Sequence, residues 1–132
     1  MKTNRLFKFF ILVLLIAALA VSMLGCFGGQ TTTEKQDPVT FTFEVYLKDG
    51  TLKSTREITT TEATVGAALL KEGLISGDNG QFGLYVKVVD GVTADYDVDG
   101  TYWAFYVGDT YAMTGVDSTT AEDGKTYSFR IE

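Results

Sequence analysis

From Val39 onward the sequence alternates between apolar and polar residues, and that period limits the fold more than any other feature. Phe41, Phe43, Val45 and Leu47 alternate with Thr42, Glu44 and Tyr46, the pattern of a strand with one face buried. Asp49-Gly50 follows at once and suits a tight hairpin turn with positive φ at both positions. Thr51 to Ile58 then runs back, with Leu52, Ser54, Arg56 and Ile58 on one face. One helix is expected next. Thr64 is placed to cap it, because a hydroxyl there accepts from a backbone N–H of the first turn. Val65, Ala68, Leu69 and Glu72 share one side of it, and Gly73 stops it. Ser76 to Gln81 reads as a loop. Phe82 to Val89 is a third strand, closed by a turn at Asp90-Gly91. Thr101 to Val107 is a fourth, apolar on both faces and therefore read as central. Gly108-Asp109 turns the chain into a short strand at Thr110 to Met113. Gly115 to Glu122 is irregular and Asp123-Gly124 turns. Tyr127, Phe129 and Ile131 line one face of a last strand. A hairpin, one helix and further strands make an α+β domain, a mainly antiparallel sheet with a single helix across one face as its only cover.

The residue types that are missing exclude much chemistry. Cys26 is the only cysteine and there is no histidine. No disulfide can form within the chain, and zinc sites of thiolate and imidazole, Ser-His-Asp triads and Cys-His pairs are all excluded. Carboxylate pairs such as Glu122-Asp123 and Asp97-Asp99 sit in turn-like sequence with no partner base or nucleophile, so an enzyme is not expected. The segment 39–132 is one small domain. At this size it buries only about 60–65% of its unfolded surface, so it must rely on an aromatic core.

The first 26 residues have a different character. Lys2, Arg5 and Lys8 precede an apolar run from Phe9 to Val21. A basic head and a short apolar core mark a secretory signal, and the run is shorter than the roughly 20 residues a spanning helix needs. Ser22-Met23-Leu24-Gly25-Cys26 resembles the bacterial lipobox, with Met23 where Leu is usual. It implies cleavage after residue 25 and a diacylglycerol on the Cys26 thiol. Residues 26–38 form the lipidated cysteine and a flexible polar linker closed by Pro38. Removing the three basic residues of the leader leaves eight basic against 17 acidic residues, a net charge of −9. Such a chain is not expected to bind nucleic acid. Anionic membrane surfaces do not attract it either, so the lipid must supply the anchor. The expected location is the outer face of a bacterial cytoplasmic membrane.

Two clusters are candidate sites. Asp95, Asp97 and Asp99, followed by Gly100, match the first half of an oxygen-rich calcium loop, in which carboxylates converge and glycine permits the turn. The second half has no matching carboxylate, and a solvated acidic loop is the plainer reading. The other cluster is aromatic. If Trp103 and Phe105 face the helix, Tyr102 and Tyr106 lie on the opposite face beside Ala104, with Tyr111 and Met113 on the next strand. Such a shelf could stack a flat ligand or a sugar, or it could form a second small core under the loop 115–122.

The helix sequence Ala-Thr-Val-Gly-Ala-Ala-Leu-Leu, then Gly91-Val92, Tyr102-Trp103, Gly115-Val116-Asp117 and Asp123-Gly124, resembles the transcobalamin-like C-terminal domain family over residues 39–132. The resemblance implies a β-grasp-like fold that caps a ligand from one side. By that resemblance the ligand is a corrinoid or a similar amphipathic compound, passed on to an importer. The alternative is an interaction or adhesion module that docks another surface protein through its aromatic face or a sheet edge.

Overall fold

The computed structural model describes residues 36–132. The leader, the lipidation at Cys26 and most of the linker lie outside the described residues. Strands β1 (Val39–Tyr46) and β2 (Leu52–Thr60) form the expected hairpin, with Phe43 opposite Arg56. Its turn is not the two-residue kind. Gly50 alone has positive φ, +83°, and its N–H donates to the Leu47 carbonyl at 2.9 Å. This is a three-residue loop closed by a left-handed glycine. The turn with both central residues at positive φ occurs instead at Asp90-Gly91, with φ of +47° and +78°.

Helix α1 (Val65–Lys71) begins as the sequence indicates. Thr64 Oγ1 accepts from the Ala67 N–H at 3.2 Å, and Val65, Ala68 and Leu69 are buried. At the other end Gly73 takes φ +68°, and the Leu74 N–H reaches the Leu69 carbonyl at 2.9 Å. That wrap satisfies carbonyls the helix leaves open.

The next segment differs from expectation. Ile75–Gly80 is a strand, β3, paired antiparallel with β4 (Gly83–Val89). Its glycines and polar residues had suggested a loop. They serve an exposed edge strand instead, and a Cβ on Gly77 would stand 1.9 Å from the Tyr85 carbonyl oxygen. The pairing thus requires glycine there. A two-residue strand, β5 (Val92–Thr93), completes a three-stranded sheet in the order β3-β4-β5. Helix α2 (Tyr96–Asp99) then leads into β6 (Trp103–Val107), β7 (Thr110–Tyr111), a 3-10 turn at Val116–Ser118 and β8 (Thr126–Ile131).

The larger sheet has the order β2-β1-β8-β6-β7. Its centre is β8, parallel to β1 and antiparallel to β6. The strand read as central, β6, lies one place from the edge, and β7 shields only its far end. Phe41, Phe43 and Val45 from β1, Tyr127 and Phe129 from β8, and Trp103 and Phe105 from β6 form one buried layer. Phe41 meets Tyr127 edge-on with ring centroids 5.1 Å apart, and Phe105 meets Phe129 at 5.1 Å. Each such ring contributes about 1.5–3 kcal/mol by leaving water. Helix α1 is not the only cover for this layer, because Val86 and Val89 of β4 belong to the same core. The domain is α+β and β-grasp-like: a helix crosses from the first hairpin over a mixed, mainly antiparallel sheet.

Candidate functional site

Strand β7 ends after two residues, and the chain bends away at Met113 and Thr114 before the 3-10 turn. Among the described residues, part of the β6 edge is therefore left without a neighbour. Between that edge and β4 lies a cleft of about 370 Å³ whose walls include Leu84, Tyr85, Trp103, Phe105, Tyr111 and Met113. Tyr85 is 43% exposed and Met113 94% exposed, so both stand at the mouth. Lys87 lies 5.8 Å from the Tyr85 ring centroid, and its ammonium bridges Asp78 at 2.8 Å and Asp95 at 3.4 Å. The hydrogen bonds to Asp78 and Asp95 raise the Lys87 pKa.

One carboxylate holds the β4 wall. Asp117 Oδ2 accepts from the Leu84 N–H at 3.0 Å, and its buried Oδ1 has no hydrogen-bond partner among the described residues. The fit is tight: a Cβ on Gly83, which has φ +99°, would stand 2.6 Å from Oδ2, and one on Gly115 2.8 Å from Oδ1. Leu84, Tyr85 and Asp117 were not picked out as site residues from the sequence. Gly115-Val116-Asp117 was visible as a motif, but its partner Leu84 is 33 residues away.

Of the tyrosines and methionine named from the sequence, Tyr102, Tyr111 and Met113 line the cleft and Tyr106 does not. Tyr106 belongs to a polar layer on the other face of the large sheet. The Arg130 guanidinium lies 4.2 Å from its ring centroid and 4.9 Å from that of Tyr46. Fully buried Ser128 accepts from Arg130 Nε at 3.4 Å. The Tyr106 ring also meets Tyr111 edge-on at 5.5 Å. The hydroxyls of Tyr102 and Tyr106 both donate to the Glu132 carboxylate. Burial, then the Glu132 charge, raises the Tyr102 pKa; at Tyr106 the hydrogen bond to Glu132 leads. Both hydroxyls are thereby held protonated.

The structure brings Asp95, Asp97 and Asp99 into no common site among the described residues. The segment is the short helix α2, whose period turns Asp97 away from Asp95 and Asp99. Asp95 caps it, accepting from the Asp97 N–H at 3.2 Å and pairing with Lys87. Asp99 accepts from the Thr101 hydroxyl and N–H, and the hydroxyl bond is the larger cause of its lowered pKa. Among the described residues no three acidic, cysteine or histidine side chains gather as a cation would need.

The cleft walls carry no charged side chain among the described residues. Their chemistry is stacking, apolar contact and hydroxyl hydrogen bonding, which is the chemistry of binding.

The model of one family, described as "Domain of unknown function (DUF4430)", matches residues 62–132, more than half of the chain. The chain belongs to that family. It is similar to a solved structure of a "putative metal binding protein" from Ruminococcus gnavus, with 29% identity and a TM-score of 0.66. That likeness covers 71% of this chain and 96% of the other. It is also similar in fold to haptocorrin in complex with Cbi, at 18% identity and a TM-score of 0.59, over 74% of this chain. There the chain spans only 25% of haptocorrin's length. No curated protein sequence matches the chain.

Proposed function

We propose that this chain is a lipid-anchored extracytoplasmic binding module, not an enzyme, whose ligand sits in the cleft between β4 and β6. The observation that carries the reading is the cleft itself: about 370 Å³, walled by aromatic and aliphatic side chains, with tyrosine hydroxyls nearby. Its volume falls within the roughly 300–1,000 Å³ of small-molecule sites, which are mostly apolar with a few placed polar groups. The fold-level likeness to haptocorrin bound to Cbi supports a corrinoid or another amphipathic ring compound as the first ligand to try. A lipid on Cys26 would hold the module at the membrane face, where it could hand the ligand to an importer.

The cleft is open on one side, so affinity should be modest, about micromolar, or −8 kcal/mol. The experiment is a thermal-shift screen of the full chain against corrinoids, porphyrins and sugars. A ligand at about 100 times its Kd adds about 2.7 kcal/mol. For a domain of this size that is a rise of more than about 10 °C. No shift with any amphipathic ring compound would count against the reading. A docking role has one observation in its favour: Phe82, at the tip of the β3–β4 hairpin, is 92% exposed. An apolar residue so placed suits a protein contact.

A further inference from the structure

Strand β6 presents an unused pair of backbone groups to the cleft. Tyr102 and Glu132 exchange both of their hydrogen bonds, the Tyr102 N–H to the Glu132 carbonyl at 2.9 Å and the Glu132 N–H to the Tyr102 carbonyl at 3.0 Å. In an antiparallel pair such residues alternate with residues whose N–H and C=O point the other way. Trp103 and Phe105 therefore point away from β8, and the Ala112 N–H indeed donates to the Phe105 carbonyl at 2.9 Å. Beyond that bond β7 has ended, and its pairing with β6 reaches only Tyr106 and Val107. Among the described residues the Trp103 N–H and C=O have no strand partner, and the Phe105 N–H donates no return bond to the Ala112 carbonyl. Trp103 is only 6% exposed and lines the cleft.

Backbone donors and acceptors in partly buried places are nearly always paired, so a ligand that pairs them gains over one that does not. We propose that the cleft selects amide-bearing ligands, a carboxamide pairing with both the N–H and the C=O of Trp103. This rests on the cleft's being the binding site. An N–H donor and a C=O acceptor on one residue match the syn N–H and C=O of a primary carboxamide. They also match the N–H and C=O that flank one tetrahedral carbon in an extended peptide. The two sources differ in reach, because only the extended peptide continues to the Phe105 N–H. Aromatic or aliphatic parts of the same ligand would lie against Tyr85, Tyr111 and Met113.

The test is amide NMR of the 15N-labelled full chain in detergent micelles. In the free protein the Trp103 amide should exchange with solvent at least tenfold faster than those of Ala104 and Tyr106, which face β8. Three probes are then titrated: phenylacetamide, methyl phenylacetate with the same ring but no N–H, and the capped dipeptide Ac-Phe-Ala-NH2. Phenylacetamide should shift the Trp103 amide downfield and slow its exchange, and the ester should not. A dipeptide that moves the Phe105 amide as well identifies extended peptide as the source; one confined to Trp103 identifies a lone carboxamide. If amide and ester shift the side chains of the cleft equally and leave the Trp103 amide unchanged, the inference is overturned while the cleft remains a binding site. If the free Trp103 amide is as protected as its neighbours, it is overturned likewise. If no probe touches the cleft, the binding reading falls with it.

Discussion

Trp103 joins the two sheets. Its ring lies in the core of the large sheet, and its indole N–H donates to the Val92 carbonyl in β5 at 3.1 Å. Trp103→Ala removes both the packing and the bond and should cost about 3–5 kcal/mol, measured by urea unfolding. A loss under about 1 kcal/mol would show that neighbours collapse into the space. Asp117 is the second residue on which the cleft depends. Asp117→Ala frees the Leu84 N–H and should cost about 1–3 kcal/mol, with faster amide exchange at Leu84; unchanged exchange there would remove Asp117 from the account. These two residues also show what could be read in advance. The burial of Trp103 followed from its place in the middle of the most apolar strand. The role of Asp117 could not be read, because its partner is a backbone N–H on a distant strand, and a backbone N–H has no sequence signature.

At the scale of elements, the Asp90-Gly91 turn clasps β2. The Asp90 carboxylate accepts from Lys53 Nζ and Ser54 Oγ, both at 2.8 Å, and from Arg56 at 3.2 Å. The Lys53 hydrogen bond is the leading cause of its lowered pKa, against desolvation. A depressed carboxylate contributes stability above its unfolded pKa and loses it as pH falls through the folded one. Asn tolerates the same positive φ, so Asp90→Asn tests the charge without disturbing the turn. Because Lys53 and Arg56 are partly exposed, solvent screening limits the loss to about 1 kcal/mol at pH 7. The gap between the variant and wild type should close below about pH 4. A gap that persists in acid, followed by thermal melts across pH, would mean that shape and not charge holds the clasp. The first hairpin, α1 and the last strand were legible because alternation, a capping threonine and a stopping glycine are local signals. Strand β3 was not, since Ser-Gly-Asp-Asn-Gly becomes a strand only when β4 offers an edge. Helix α2 was not legible for a related reason: Asp95 and Asp99 bond to their own neighbours, Asp97 and Thr101, and alternating aspartates carry no local signal of that.

For the whole molecule, the two parts that matter are the proposed lipid anchor at Cys26 and the cleft in the folded domain. Among the described residues no helix is long and apolar enough to cross a membrane. The anchoring proposal rests on Gly25-Cys26 after the apolar run. Cys26→Ala should abolish incorporation of a fatty-acid analogue in metabolic labelling; equal label on variant and wild type would contradict it. The central claim concerns the cleft, and calorimetric titration tests it most directly. The compound that raises the melting temperature most is titrated into wild type, Tyr85→Ala, Met113→Ala and, as a control on the far helix, Leu70→Ala. All three side chains are exposed enough that stability should change by no more than about 0.5 kcal/mol. The account predicts about a tenfold weaker Kd, about 1.4 kcal/mol, for Tyr85→Ala and for Met113→Ala, and no change for Leu70→Ala. Equal affinity in all four proteins would contradict it and place the ligand elsewhere.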